Sequence, residues 1–219
     1  MKRILIILLL LSLNLCGVSS KNLWFNGNNS YITTGLSTVL NDKYTVVVKC
    51  VQDTIAKDWG HSLYYTSLFY QHQTCNSIFI YPCNGSFGGG MAKHAKEMLT
   101  LVADSMVANS FIYLNTIKKT TSSVDNIPAR AIYVGYALSS LLGTIYDFQY
   151  YHAILDSSQV AYIYNHRLPL NHDSLKIWYD FQHYNSAGDS IYDMSGNNNH
   201  GKIFNCELKS GSFIKQGVK

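Results

Sequence analysis

Gly143 to Asn165, GTIYDFQYYHAILDSSQVAYIYN, is the stretch on which the reading of the fold turns. From Ile145 its side chains alternate. Tyr146, Phe148, Tyr150 and His152 fall on one side, and Asp147, Gln149 and Tyr151 on the other, which is a half-buried strand with an aromatic face. Leu155 closes the strand, Asp156 can cap a helix with Gln159 three residues on, and Val160, Ile163 and Tyr164 recur at helical spacing until Asn165. Two turns of helix do not hold themselves together in water, so the segment must dock on the sheet.

The same run resembles the closing segment of laminin-G-like, concanavalin A-like jelly-roll domains. In those domains a glycine and a hydrophobic residue open a strand, an acidic residue follows, and an aromatic residue precedes a leucine and a short helix ending in Tyr-Asn. Gly143, Ile145, Asp147, Tyr151, Leu155, Val160, Tyr164 and Asn165 fill those places. The resemblance implies an all-β sandwich of two antiparallel sheets with one short helix.

Outward from this unit, the rest of the chain reads as short strands. Tyr44 to Val51, YTVVVKCV, is β-branched and valine-rich, as a strand buried on both faces would be. Ser77 to Tyr81, Met98 to Val102, Ser110 to Asn115 and Arg130 to Gly135 follow, separated by polar or glycine-bearing turns. Asn22 to Gly35, NLWFNGNNSYITTG, resembles the family's opening phrase, with Asn26 where an acid usually stands. Any metal contact that needs that acid is therefore in doubt.

Leu175 to Phe181, LKIWYDF, alternates Leu175, Ile177, Tyr179 and Phe181 against Lys176, Trp178 and Asp180. After it, Ile191 to Gly201, IYDMSGNNNHG, is similar to a phrase found near the beginning of laminin-G-like and related glycan-binding jelly rolls. Its physical sense is a tight turn, in which Asp193 accepts from nearby backbone N–H groups, Gly196 supplies positive φ and Asn197 to Asn199 tolerate left-handed conformations. The competing reading is a structural calcium ion held by Asp193, Asn197 and neighbouring carbonyls. The phrase follows the closing helix here, whereas in the family it precedes the opening phrase. A circularly permuted single domain over residues 21–219 accounts for that order, since a lone 175–219 fragment would leave the apolar face of LKIWYDF in water. The alternative is one domain followed by the first part of a second.

Met1 to Ser20 has the layout of a secretory signal peptide: Lys2 and Arg3, an apolar run from Ile4 to Leu13, then small residues. The implied location is secreted or at the cell surface. Lipidation of Cys16 is the alternative, disfavoured by the bulk of Leu15. Beyond the leader, Cys50, Cys75, Cys83 and Cys206 make an even number, which in an exported chain favours disulfides of undetermined pairing. Asn28-Asn29-Ser30 and Asn84-Gly85-Ser86 would be glycosylation acceptors in a eukaryotic secretory pathway.

Function is bounded mainly by exclusion. The chain has 17 basic and 13 acidic residues and is only 14% charged, without the concentrated basic stripe that nucleic acid requires. Its only glutamates, Glu97 and Glu207, stand far apart, and the nearest carboxylate pair, Asp189 and Asp193, flanks a turn. Glycoside hydrolases need two facing carboxylates, so a binding module is expected rather than an enzyme. Gln52 to Thr66 is a loop rich in aromatic residues, and binding residues gather on such loops. Trp59, Tyr64 and Tyr65 are the candidate stacking surfaces there, with Asp58 and His61 as hydrogen-bonding partners; covering a sheet edge is the competing role for Trp59. Pro82 to Glu97 is the second irregular region, with a helix-like polar patch at Lys93 to Lys96. The expected ligand is a glycan, and the alternative partner is an extracellular protein bound by an adhesive or structural domain.

Overall fold

The computed structural model describes residues 21–27, 29–36, 43–53, 64–65, 68–72, 77–81, 85–88, 95–104, 109–120, 132–135, 142–171 and 173–210. Met1 to Ser20, where the leader is expected, lies outside them with Cys16, as do Asp58, Trp59, His61, Cys75 and Cys83. Among the described residues sixteen strands are formed: β1 Lys21–Asn26, β2 Tyr31–Thr33, β3 Lys43–Gln52, β4 Tyr64–Tyr65, β5 Leu68–His72, β6 Ser77–Tyr81, β7 Gly85–Gly88 and β8 Lys96–Asp104 in the first half. The second half adds β9 Asn109–Leu114, β10 Ile117–Thr120, β11 Tyr133–Val134, β12 Leu142–Tyr151, β13 Leu175–Tyr179, β14 Ser190–Ile191, β15 Gly201–Phe204 and β16 Cys206–Ser210, with helix α1 at Ser157–His166.

One eight-stranded sheet runs β10-β9-β8-β3-β12-β1-β16, and β13 also pairs with β12. A second sheet runs β14-β15-β2-β11-β4, and β5-β6-β7 form a small third one. Every described pairing is antiparallel. The C-terminal strands are woven into both large sheets, β13 against β12, β15 against β2 and β16 against β1. The main core lies between the two sheets: Leu23, Phe25, Val46, Val48, Ile145, Phe148, Tyr150 and Ile177 from the first meet Ile32, Val134, Ile191 and Ile203 from the second. A second core lies on the outer face of the larger sheet, where Val47, Met98, Val102, Tyr113 and Tyr151 receive Leu155, Val160 and Ile163. Both faces of β3 are thus buried, as its run of valines implies.

Helix α1 begins with the expected cap. Asp156 Oδ1 accepts from the N–H groups of Ser158 and Gln159 at 2.8 and 2.9 Å, and Gln159 Oε1 accepts from the Asp156 N–H at 2.9 Å. It ends one residue later than expected, at His166, with Arg167 in the left-handed conformation (φ 57°) donating its N–H to the Ile163 carbonyl. Val160 and Ile163 are buried, whereas Tyr164 is 40% exposed and takes no part in the docking face. Thr45 ties the connection down, its hydroxyl donating to the Ala153 carbonyl at 2.7 Å and accepting from the Leu155 N–H at 3.1 Å.

Five expectations need correction. The alternation of β12 is broken: its ladder to β3 shifts register between Ile145 and Asp147, so Ile145 and Phe148 both face the main core and Tyr146 is turned out of it. Cys50 and Cys206 carry no disulfide, Cys50 being locked in the main core and Cys206 packed at its rim. Burial pushes the Cys206 thiol up to about 12, so it remains protonated. The stretch Gln52 to Thr66 is not wholly loop, because Tyr64–Tyr65 pair with β11 as a short strand, and of the strand expected over Arg130 to Gly135 the described residues form only Tyr133–Val134. Of the helix-like patch expected over Lys93 to Lys96, Lys96 belongs to β8.

Gly201, at the end of the IYDMSGNNNHG phrase, shows why that phrase is so constrained. A Cβ there would lie 2.6 Å from Ile32 Cγ2, 2.9 Å from Ile191 Cγ2 and 3.0 Å from the Tyr179 hydroxyl. Three strands converge too closely for any side chain. Gly201→Ala is expected to lower unfolding free energy by about 1–3 kcal/mol, measured in urea, through overpacking of the core; an unchanged midpoint would refute this packing account.

Candidate binding site

The outer face of β12 carries a chain of buried polar groups at period two. Lys49 Nζ, opposite on β3, lies 2.7 Å from Asp147 Oδ2, and Gln149 Nε2 donates to the same oxygen at 2.9 Å. Tyr151 donates its hydroxyl proton to Gln149 Oε1 at 2.7 Å and accepts from the Leu170 N–H at 3.1 Å. Lys49 also donates to the Ile163 carbonyl at 3.2 Å, which it shares with the Arg167 N–H that closes the end of α1. Lys49 and Asp147 are about 5% exposed, so this is a buried ion pair clamped between sheet and helix. Burial raises the Asp147 carboxyl above its usual range, while Lys49, then Gln149 and Trp178, pull it back down. Its Oδ1 is left without a well-formed hydrogen bond.

This carboxylate sits at the floor of a cleft of about 360 Å³. Each wall comes from a different element: Lys49 from β3, Lys96 and Met98 from β8, Tyr146 and Asp147 from β12, Tyr164 and Asn165 from α1 with Arg167 beyond it, and Trp178 and Asp180 from β13 and its end. The position follows from the sheet. Across β12 from β3, its first half pairs with β1 and its second half with β13, and the changeover falls at Tyr146 and Asp147, beside the register shift. A bulge there re-aims side chains, which is what brings Tyr146 to the cleft. Lys96 stands over the Tyr146 ring, its ammonium 5.8 Å from the centroid. Asp180 is held at the rim, accepting from the Gln182 N–H at 2.9 Å, with His183 Nδ1 2.6 Å from its Oδ2.

Trp178 also borders a smaller cleft of about 230 Å³, walled by Pro169, Leu170, Leu175 and Met194 with Asn171 and Ser195. The Asp193 turn backs this second cleft. Asp193 Oδ1 accepts from the N–H groups of Trp178 and Ser195, both at 2.9 Å, and Oδ2 from Asn199 at 2.9 Å. Asn197 Nδ2 donates to the Leu175 carbonyl at 2.8 Å and to Ser195 Oγ at 2.9 Å. Gly196 has φ 88° and Asn198 φ 60°. These partners are those of the turn reading, and among the described residues no group of three or more His, Cys, Asp or Glu side chains could hold a metal. The donor set does not fit calcium, because three backbone N–H groups already occupy the Asp193 carboxylate. Asn26 is likewise spent on structure, donating to the Asn205 carbonyl at 3.0 Å and accepting from the Ser30 hydroxyl.

Of the aromatic loop residues expected to bind ligand, Tyr64 and Tyr65 form β4, while Trp59, Asp58 and His61 lie outside the described residues. The described residues that wall the cleft are others. Its one sequence signal was the pairing of a lone lysine inside a valine strand with an aspartate inside an aromatic strand, since charges in central strands must find partners.

The fold is that of the concanavalin A-like lectin and glucanase sandwiches. The chain superposes on a candidate carbohydrate-binding protein from Bacteroides ovatus with a TM-score of 0.64 at 12% identity, over 88% of this chain and 61% of that one. It thus spans about three fifths of that protein's length. An SAP-like pentraxin from Limulus polyphemus matches with a TM-score of 0.49 at 13% identity, over 67% of this chain and 82% of that one. Domain 4 of AbnA, an extracellular arabinanase from Geobacillus stearothermophilus solved with arabinotriose, matches with a TM-score of 0.49 at 14% identity, over 63% and 73%. No protein-family model and no curated protein matches the sequence.

Removing one member of the buried pair strands the other. Lys49→Met is expected to cost about 3–5 kcal/mol at neutral pH, and adding Asp147→Asn should recover most of it. A lone buried carboxyl has its folded pKa raised above the unfolded value, so its stability contribution is present below about pH 4 and lost as pH rises. The Lys49→Met deficit should therefore narrow in acid, and a deficit constant from pH 4 to 8 would show that the pair is not the cause. At the turn, Asp193→Ala is expected to cost about 2–3 kcal/mol by orphaning three N–H groups, while chelator leaves the melting temperature of the unaltered protein unchanged; a chelator-induced drop would restore calcium.

Proposed function

We propose that this is a secreted or cell-surface glycan-binding module that performs no chemistry on its ligand, and that the cleft floored by Asp147 is its site. The observation that carries the reading is the convergence of three aromatic side chains, Tyr146, Tyr164 and Trp178, with an amide, carboxylates and cations around one concavity. Sugars are bound by that combination, ring faces meeting C–H surfaces and polar groups meeting hydroxyls. The fold match to a candidate carbohydrate-binding protein supports the reading. Its export rests on the Met1 to Ser20 leader, and its lack of chemistry on the engagement of both cleft carboxylates, Asp147 by Lys49 and Asp180 by His183. The aromatic segment around Trp59 remains a second candidate contact surface.

A glycan array probed with the full chain should give saturable binding to a subset of oligosaccharides, with no shortening of the bound sugars on prolonged incubation. Tyr164→Ala, at an exposed position, should weaken that binding roughly tenfold and leave the melting temperature in place. An array without signal, together with capture of one specific extracellular protein, would move the assignment to an adhesive domain.

A further inference from the structure

We propose that the smaller cleft is the second half of the same site, and that it takes the acetamido group of an N-acetylated sugar whose ring lies in the larger cleft, across Trp178. This rests on the glycan-binding reading above and narrows it to a ligand class.

The two clefts differ in chemistry. Charged side chains border the larger one, whereas among the described residues none lines the smaller, which is walled by Pro169, Leu170, Leu175, Met194 and the Trp178 ring. At about 230 Å³ it falls below the roughly 300 Å³ at which pockets for whole ligands begin, so it suits one substituent of a larger molecule. Its walls are fixed in advance. Leu170 and Leu175 pack against the second core, the Leu170 N–H is held by the Tyr151 hydroxyl at 3.1 Å, and the Met194 N–H by the Trp178 carbonyl at 2.8 Å. The Trp178 indole is oriented as well. Its N–H is among the groups that draw the Asp147 carboxyl down, so the polar edge of the ring is turned to Asp147 and its apolar surface is left for the smaller cleft.

Such a space selects among sugar substituents. A hydroxyl placed against the apolar walls would give up water without a partner, and a charged group would find no counter-charge in the lining. Two polar side chains border the cleft. The Ser195 hydroxyl is already spent, donating to the Lys176 carbonyl at 3.3 Å and accepting from Asn197 Nδ2 at 2.9 Å. Asn171, exposed at the mouth, carries an acceptor oxygen and an NH2 donor side by side. A secondary amide presents the complementary pair, a C=O and an N–H. An acetamido group adds to that pair a methyl that the apolar walls can cover, so it is the substituent that answers both halves of the lining.

The test is an array of oligosaccharides in matched pairs that differ only in a 2-acetamido group or a 2-hydroxyl, in the gluco, galacto and manno series, probed with the full chain. The best binder is then titrated calorimetrically beside its hydroxyl and free-amine counterparts and beside N-acetyl-leucine amide. In at least one series the N-acetylated member should bind about tenfold or more tighter than both counterparts. Met194→Ala and Asn171→Ala, both at exposed positions, should each shrink that preference severalfold, with the melting temperature as the check that the fold is kept. Acetamido and hydroxyl members bound equally in every series would overturn the inference and leave the glycan reading standing, whereas no sugar bound at all would overturn both. A preference for the acetamido member that survives both substitutions undiminished would overturn its assignment to the smaller cleft. N-acetyl-leucine amide bound as tightly as the N-acetylated sugar would overturn the sugar assignment in favour of an apolar side chain from a protein partner.

Discussion

The ion pair between Lys49 and Asp147 is the constraint around which the outer half of the molecule is arranged. Burying two charges costs several kcal/mol per ion, and their attraction offsets this only when the remaining hydrogen-bonding capacity is also met. Here Gln149 shares the carboxylate and the Ile163 carbonyl takes a proton of the ammonium. Because that carbonyl belongs to α1, the pair is completed only when the helix is docked. The electrostatic demand of the sheet and the apolar demand of Val160 and Ile163 therefore select the same helix position.

Strand β12 has to satisfy two environments. Toward the second sheet it presents Ile145, Phe148 and Tyr150 to the main core. Toward α1 it presents Asp147, Gln149 and Tyr151, a polar row that a helix covers and whose members therefore bond to one another and to Lys49. Strict alternation could not place Ile145 and Phe148 on one face. The register shift resolves this and, by ejecting Tyr146, builds one wall of the cleft. The concavity is thus a by-product of fitting a sheet between two cores, with β1 and β13 as successive neighbours of β12.

The parts of this structure that were legible in the sequence are those governed by local chemistry. The Asp156 and Gln159 cap, the double burial of β3 and the Asp193 turn each follow from residues within a few positions of one another. What was not legible depends on partners far along the chain. Nothing near Tyr146 announces the bulge, which is set by pairing with β3 nearly a hundred residues earlier. Cys50 looked like half of a disulfide because exported cysteines usually are, yet its place in the inter-sheet core makes it a small apolar side chain. The cleft escaped notice for the same reason, since its walls come from five elements that are dispersed in sequence.

The turn at Asp193 and the cleft at Asp147 show how two buried aspartates of similar exposure come to have different consequences. At Asp193 three backbone N–H groups supply the compensation, one from β13 and two from the turn itself, and the carboxylate is consumed in holding the chain. At Asp147 the compensation is a lysine side chain, and one oxygen is left buried without a well-formed bond. A carboxylate saturated by backbone donors has nothing left for a ligand. One that is balanced by a lysine depends instead on a neighbouring strand and on the helix that covers it. That difference in who supplies the donors, more than any difference in burial, ties the Asp147 carboxylate to the docking of α1 and the Asp193 carboxylate to the chain turn.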